Sequence, residues 1–279
     1  MSEAAGAAAN RVVLLDATSR QVSVRRWRDG QDQSTVDEVA EEAPIALTYH
    51  GIPHVVMLAT PADLEDLAVG FTVTEALVAS PREISSVEVI RTPDAIEVRV
   101  GVKSERFSEI LKRQRNMTGR TGCGLCGVET VEEAIRRPAR VSAELRVSSA
   151  DLHAALKALE SQQRINARTG SVHAAAWARP GNGIEIVRED VGRHNALDKM
   201  IGALLRAGTD PAEGYAIVTS RASYEMAQKA ATAGISFLAA VSAPTGLAIR
   251  LAEASDLTLV GFARPQQHVV YAGGRRLSA

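Results

Sequence analysis

The second half of the chain alternates short apolar segments with amphipathic ones, and this alternation constrains the fold most strongly. Five segments are predicted strands: VHAAAWA, IEIVRE, YAIVTS, FLAAVS and LTLVGFA, within residues 172–263. Helices are predicted from a Ser-x-x-Asp start at Ser148, from about Asn195, over Ser223 to Ala233, and from about Thr245. Strands alternating with helices predict a layered α/β domain with a mostly parallel sheet, at least over the later strands.

The first half contains one clear helix signal. Thr60-Pro61-Ala62-Asp63 offers an N-cap, a proline at N1 and an acid at N3, so a helix is predicted to start there. The apolar residues that follow are spaced i, i+3, i+4 and i+7, which predicts one face packed on a core. They are Leu64, Leu67, Ala68 and Phe71.

The remaining first-half segments are assigned by alternation and by breakers. VEVIRT and AIEVRVGV predict a hairpin turning at Pro93-Asp94. Polar stretches over 25–33 and 37–42 predict a connecting segment before a patterned unit that begins near Pro44. A polar segment over 103–121 leads to a predicted helix over 127–137, which ends before Pro138.

Pro138 is the predicted domain boundary. It divides a first domain over 11–138 from a second over 139–279. MSEAAGAAAN, residues 1–10, has no positive region followed by an apolar core, so it predicts a disordered tail and not a secretory signal.

Charge and hydropathy limit the possible partners. The formal net charge is -1, so no global basic field exists to hold a nucleic acid or an anionic membrane, and any anion site must be local. No apolar run approaches the roughly 18 residues of a membrane span. We therefore expect a cytoplasmic protein without nucleic acid or membrane partners, in which thiols stay reduced.

Cys123 and Cys126 are the only cysteines, and they stand in GRTGCGLCGVE, residues 119–129. A structural zinc site needs four ligands, but there is no second cysteine pair, and only His50 and His54 have a histidine-pair spacing. Alternatively, the two cysteines could be small buried residues with a structural role, but the flanking glycines favour accessible thiols. A thioredoxin-like pair would follow a buried strand, whereas this segment follows a polar one. The motif therefore favours a loop that carries a group on an accessible cysteine.

Polar groups also follow three of the predicted strands. REDVGRHNALDKMIG (188–202), TSRASYEMAQKAATAGI (219–235) and SAPTGLAIRLAE (242–253) each begin at a strand end, where α/β sites form. In a bland interpretation, Asp190 or Asn195 caps a helix and the other charged groups are solvated. Together the three segments instead predict a pocket for a phosphorylated or nucleotide-like ligand, with backbone N–H groups at helix starts accepting phosphate. The candidate ligand-binding residues are Arg193, His194, Thr219, Ser220 and Arg221.

Several motifs taken in order closely resemble the FdhD/NarQ family. They are MLATPADLEDLAVGF, CGLCG, EDVGRHNALDK, TSRASYEM, SAPTGLAI and LTLVGFAR, and the likeness runs from about Pro44 to Tyr271. The resemblance implies a C-terminal α/β domain with a cytidine deaminase-like fold, a smaller N-terminal α+β domain and a homodimer. It also implies a sulfur carrier required for formate dehydrogenase activity. Such carriers take sulfane sulfur from a cysteine desulfurase. They pass it to the molybdenum (or tungsten) bis-guanine-dinucleotide cofactor before its insertion into the apoenzyme.

The resemblance also implies site residues. The persulfide carrier of the family maps to Cys123, and Cys126 is a candidate for assisting sulfur release. A cofactor-binding stretch maps to Phe262, Ala263, Arg264, Pro265, Gln266 and Gln267, of which residues 265–267 fall in a variable region. Ala76 stands where the family commonly has glycine, a change expected to be harmless.

The zinc deaminase signature, H-x-E with P-C-x-x-C, is absent, so no structural metal is expected. Two rival functions stay open: a dithiol oxidoreductase, and a cofactor-binding chaperone that uses its cysteines only structurally.

Overall fold

The first element among the described residues is a two-stranded antiparallel hairpin. In the computed structural model, which describes residues 17–92, 95–115 and 138–279, it comprises β1 (Ser19–Arg28) and β2 (Gln31–Ala40). The prediction of a connecting segment here was wrong. Opposite charges pair across the strands, as in Arg26 with Asp37, and Asp29-Gly30 forms the turn with positive φ at both residues. Asp-Gly in this conformation is typical of a tight hairpin.

A four-stranded sheet follows, with the spatial order β4-β3-β6-β5. Its strands are β3 (Ala43–Tyr49), β4 (Ile52–Ala59), β5 (Ile84–Arg91) and β6 (Ile96–Val102). β3 and β6 are parallel and the other pairs are antiparallel. The predicted hairpin is confirmed as β5 and β6, while its predicted turn at Pro93-Asp94 lies outside the described residues.

Helix α1 (Leu64–Thr74) covers the buried face of this sheet. The predicted apolar face is confirmed, because Leu64, Leu67 and Ala68 are buried against the strands. The predicted start at Thr60 was wrong: the N-cap is Asp63, in a left-handed conformation and without a capping hydrogen bond. Thr60 is instead engaged with the second half of the chain.

The polar segment over 103–121 contains α2 (Ser104–Arg115), which was not predicted. Among residues 104–111, the part of this helix whose side chains are described, only Ile110 is deeply buried, so the apolar face does not stand out in the sequence. The predicted helix over 127–137, the predicted tail over 1–10 and both cysteines lie outside the described residues.

The second half forms a six-stranded sheet with the order β13-β12-β11-β10-β8-β9. Its strands are β8 (His173–Arg179), β9 (Gly183–Asp190), β10 (Tyr215–Val218), β11 (Phe237–Ala240), β12 (Thr258–Arg264) and β13 (Gln267–Ala272). A small separate pair joins β7 (Val147–Ser148) to β14 (Leu277–Ser278). β10, β11 and β12 are parallel, which confirms the predicted parallel pairing of the later strands.

Helices cover both faces of the six-stranded sheet. They are α3 (Ser149–Gln162), the short α4 (Asn166–Thr169), α5 (Arg193–Arg206), α6 (Tyr224–Thr232) and α7 (Gly246–Ser255). One core joins α5, α6 and α7 to one face of the sheet, and a second core joins α3 to the other. The layered α/β architecture is therefore confirmed. In the described part of the chain, no helix is long and apolar enough to span a membrane.

The predicted helix starts in this half are largely confirmed. Ser148 accepts a hydrogen bond from Asp151 N, and Thr245 accepts one from Ala248 N. Helix α5 begins at Arg193, slightly before the predicted start near Asn195. Its N-cap is Gly192, so neither Asp190 nor Asn195 has the capping role considered for it.

Candidate functional site

The polar strand ends meet at one edge of the six-stranded sheet. β10 and β11 are parallel. β9 and β10 are both antiparallel to β8, so β9 runs in the same direction as β10 and β11. The starts of α5, α6 and α7 therefore gather at this edge. The loops are joined directly: Ala222 N donates to Ala243 O (3.3 Å), and Thr245 N donates to Ala222 O (3.0 Å). We call this the strand-end edge.

Two acids of the motif EDVGRHN accept backbone N–H groups, Glu189 from the start of α4 and Asp190 from the first loop. The carboxylate of Glu189 accepts the N–H groups of Ile165 and Asn166 at 2.9 and 2.8 Å. Asp190 is fully buried, and its Oδ1 accepts Gly192 N at 2.7 Å. Both acids are thus satisfied within the protein, so they hold the loop and are not free to bind a ligand.

Asp190 also ties the loop to the first half of the chain. Its Oδ2 accepts Thr60 N at 3.0 Å and lies 2.6 Å from Lys199 Nζ. Thr60 Oγ1 in turn accepts Val191 N (3.1 Å), and Asn195 Nδ2 donates to a backbone carbonyl of β4 (2.9 Å). These contacts explain why Thr60 does not cap α1.

A second buried network continues along the same contact. Asp198 accepts Thr74 Oγ1 at 2.7 Å and Lys229 Nζ at 2.9 Å. Lys229 also binds Glu75 Oε1 at 2.9 Å. Burial by itself disfavours the charged amine, but the carboxylates of Asp198 and Glu75 outweigh it and raise the pKa of Lys229. Lys229 therefore stays charged and joins α1, α5 and α6.

Arg193 and His194 are the motif residues that these networks leave for a ligand. Arg193 Nε is buried and has no hydrogen-bond partner among the described residues. His194 Nε2 lies 2.7 Å from Glu225 Oε2, within ion-pair distance, although the hydrogen-bond angles are poor. His173 lies in the same cluster: its burial, followed by the charges of Arg193 and His194, lowers its pKa.

The second strand end contributes less than predicted. Thr219 Oγ1 accepts Ala174 N (2.9 Å), and Ser220 Oγ donates to the carbonyl of Arg221 (3.0 Å), so both hydroxyls serve the backbone. The Arg221 side chain is exposed. Ser223 stands at the N-cap of α6 as predicted, but its buried hydroxyl makes no capping bond and has no partner in the described part of the chain.

The predicted stretch from Phe262 to Gln267 lies at the same edge. Phe262 N donates to Ser242 O (3.2 Å), next to the loop that starts α7. A bulge here gives Phe262 a φ of 48°, a conformation that costs about 1–2 kcal/mol for a residue with a side chain, and leaves it 44% exposed. Ala263 is buried, and Arg264 donates to the carbonyls of Val241 and Ala263.

The strand-end edge is cationic. Arg193, Arg221, Arg250 and Arg264 surround it, and none of them forms an ion pair with a carboxylate in residues 17–92, 95–115 or 138–279. Unpaired guanidinium groups beside helix starts are suited to bind phosphate or carboxylate. The sequence did not identify Glu225 or His173 as parts of this cluster. No local pattern connects them to His194, because the contacts form only on folding.

Fold and site together define a two-domain α/β protein with a cationic edge on its six-stranded sheet. Comparison with known families matches residues 40–278 to the FdhD/NarQ family, and the chain belongs to this family. The resemblance seen in the sequence is thereby confirmed.

Curated relatives and a solved structure agree with this assignment. The sulfur carrier protein FdhD of Cupriavidus necator is 49% identical over 260 residues, covering 93% of this chain and 90% of the relative. The sulfur carrier protein FdhD of Xanthomonas campestris pv. campestris is 49% identical over 255 residues, covering 91% of each. A crystal structure described as a formate dehydrogenase accessory protein from Desulfotalea psychrophila superposes with a TM-score of 0.76. It is 22% identical and covers 94% of this chain and 100% of that one, which supports the fold alone.

Proposed function

We propose that this protein is a sulfur carrier for the maturation of formate dehydrogenase. It accepts sulfane sulfur from a cysteine desulfurase and passes it to the molybdenum bis-guanine-dinucleotide cofactor, before that cofactor enters the formate dehydrogenase apoenzyme. Membership of the FdhD/NarQ family and the names of the relatives support this proposal. A cytoplasmic location and a homodimer, both suggested at the sequence level, belong to the same proposal.

The cationic strand-end edge is the observation that carries the acceptor half of the proposal. A guanine dinucleotide carries negatively charged phosphates, and the edge offers guanidinium groups without carboxylate partners. The buried donors Arg193 Nε and Ser223 Oγ lack partners among the described residues, as expected of groups that await a ligand. We propose Arg193, His194, Arg221 and the stretch 262–267 as residues that hold the acceptor. The hydroxyls of Thr219 and Ser220 serve the backbone and would shape this edge without binding through their side chains.

The donor half of the proposal rests on Cys123. Its thiolate attacks the outer sulfur of the desulfurase persulfide, a new sulfur–sulfur bond forms on Cys123, and the desulfurase thiolate leaves. On delivery this bond breaks, and the bonding electron pair leaves with the outer sulfur as hydrosulfide. Cys126 assists release by attacking Cys123, which forms a Cys123–Cys126 disulfide and frees hydrosulfide. A cellular thiol then reduces the disulfide.

A labelling experiment tests the donor half. The protein is incubated with a cysteine desulfurase and cysteine, and the adduct is mapped by mass spectrometry. We expect one extra sulfur on Cys123, its loss in Cys123→Ala and its retention in Cys126→Ala. A full persulfide complement on Cys123→Ala would refute the assignment.

A complementation experiment separates the proposal from its rivals. The cationic edge alone also suits a chaperone that binds the cofactor and needs neither thiol. If the Cys123→Ala, Cys126→Ala double variant restored formate dehydrogenase activity to a deletion strain, the chaperone would be favoured. A dithiol oxidoreductase would instead reduce a test disulfide with turnover and would not need the strand-end edge. We expect the double variant to fail in the strain.

A further inference from the structure

We propose that Glu225 is a positioning residue, which holds the His194 imidazole so that His194 and Arg193 form a paired cationic clamp for a phosphate-class group of the ligand. This inference rests on the proposed function, because it assigns a role within the same strand-end edge. Nothing in the sequence pattern singles out Glu225.

The geometry places the two side chains at facing helix starts. His194 is the second residue of α5 and Glu225 is the second residue of α6. Their Nε2 and Oε2 atoms lie 2.7 Å apart, and the side chains are 31% and 25% exposed. The close contact with His194, opposed by partial burial, lowers the pKa of Glu225, so its carboxylate is ionised near neutral pH. The pair is therefore accessible to a ligand and charged on the Glu225 side.

The contact leaves one ring nitrogen of His194 available. Glu225 occupies Nε2, and Nδ1 makes no hydrogen bond to any residue that the structure describes. In its imidazolium form, the ring donates Nε2–H to the carboxylate and can donate Nδ1–H to an anion. Arg193 is the preceding residue, and its buried Nε also has no partner in the described ranges. Two donors on adjacent residues thus start from one helix end.

Charge alone argues against an acid at this position. The charged groups that influence the cluster are His173 from β8, Asp190 from β9, Arg193 from α5 and Lys229 from α6, and Asp190 is already paired with Lys199. Among them a carboxylate reduces the positive potential, and by itself it weakens the binding of any anion. Glu225 strengthens anion binding only if the affinity gained by orienting His194 exceeds the affinity lost through the negative charge of Glu225. This opposition gives the test a definite sign.

The test measures binding of inorganic pyrophosphate to the full-length protein by calorimetry. Glu225→Gln removes the negative charge while keeping the size of the side chain. If Glu225 were merely an acid near the site, this variant would bind pyrophosphate more tightly. If it positions His194, we expect binding to weaken about tenfold, the scale of one lost charge-assisted hydrogen bond. Glu225→Asp is expected to recover part of the loss, and Glu253→Gln on the exposed face of α7 serves as the matched control.

Two further measurements separate positioning from a merely structural role. Adding Glu225→Gln to His194→Gln should cause no further loss of affinity, because the acid acts through the ring. In protein labelled with ¹⁵N-histidine, pyrophosphate should shift the His194 ring signals of the wild type but not those of Glu225→Gln. Thermal unfolding of each variant checks that the fold is kept.

The outcomes distinguish this inference from the proposed function. If the wild type binds pyrophosphate and Glu225→Gln binds it equally well or better, the positioning role is overturned and the cationic edge stands. If the wild type does not bind pyrophosphate at all, the anion site of the proposed function fails, and this inference fails with it. Weaker binding that persists unchanged in the His194→Gln background would also overturn the role, because the acid would then act independently of His194.

Discussion

Asp190 Oδ2 lies 2.6 Å from Lys199 Nζ, and both side chains are completely buried. Lys199 Nζ also donates to Thr60 O (2.9 Å), so the pair anchors the loop before α1 to the loop that precedes Arg193 and His194. Each charge is tolerated in the interior only because the opposite charge of its partner lies beside it. Much of the motif EDVGRHNALDK therefore stabilises the contact between the two halves of the chain.

Removing one partner of this pair should be severely destabilising. Asp190→Ala leaves the Lys199 ammonium buried without its counter-ion, which is expected to cost about 3–5 kcal/mol of unfolding free energy. Urea denaturation measures the loss. The matched control is Asp32→Asn, which breaks the exposed ion pair with Arg25 and should cost less than about 1 kcal/mol. Similar losses in both variants would contradict a special role for the buried pair.

The strand and helix pattern of the second half could be predicted because its periodicities are clean and its helix starts are local. Ser148 and Thr245 cap their helices with their own side chains, which is information contained in a few neighbouring residues. The β1–β2 hairpin was missed because cross-strand charge pairs stabilise it and apolar alternation does not. The start of α1 was misplaced because Thr60 is occupied by partners about 130 residues away.

The meeting of three polar loops could be predicted from the sequence, but the contacts of their individual side chains could not. We predicted that the three loops meet because strands that run in the same direction end at one edge of a sheet, and the structure confirms this. The sequence could not show that the Asp190 carboxylate is occupied by internal hydrogen bonds, whereas Arg193 Nε has no partner among the described residues. That distinction depends on tertiary contacts such as Thr60 with Asp190, and Glu225 was missed for the same reason.

The crossing of α1 and α5 should not tolerate side chains at its two glycines. A methyl group on Gly70 would lie 1.8 Å from Asp198 O, and one on Gly202 would lie 1.8 Å from Asp66 O. Because these obstacles are backbone atoms, the helices would have to separate, and Gly70→Ala or Gly202→Ala should cost about 3 kcal/mol or more. Gly246→Ala, which meets only Arg250 Nη1 at 3.6 Å, is the control and should be neutral or stabilising in thermal unfolding. Wild-type stability of Gly70→Ala would show that the helices are not in close contact.

Replacing Ala76 with glycine should stabilise the protein. Its φ is 51°, in the left-handed region, which costs an alanine about 1–2 kcal/mol. The expectation of a harmless change is therefore corrected, because the alanine has a conformational cost. Glycine removes this strain but adds chain entropy to the unfolded state, so Ala76→Gly should stabilise by up to about 1 kcal/mol in urea unfolding. Exposed Ala79 lacks positive φ, and Ala79→Gly should instead destabilise; stabilisation by both would point to another cause.

The His173 imidazole should titrate below the ordinary histidine pKa of about 6.5. Burial, and then repulsion from Arg193 and His194, lowers its pKa, because each disfavours the charged ring. Since the unfolded state takes up this proton more readily, His173 makes the fold less stable as pH falls below about 6.5. Arg193→Gln removes one repelling charge and should raise the His173 pKa, measured by the pH dependence of its ring signals in NMR. Arg221→Gln makes the same change of charge at a residue that does not influence His173, so the His173 pKa should stay unchanged in this variant. An equal shift in the two variants would mean that His173 responds to the whole cationic edge and not to Arg193 beside it.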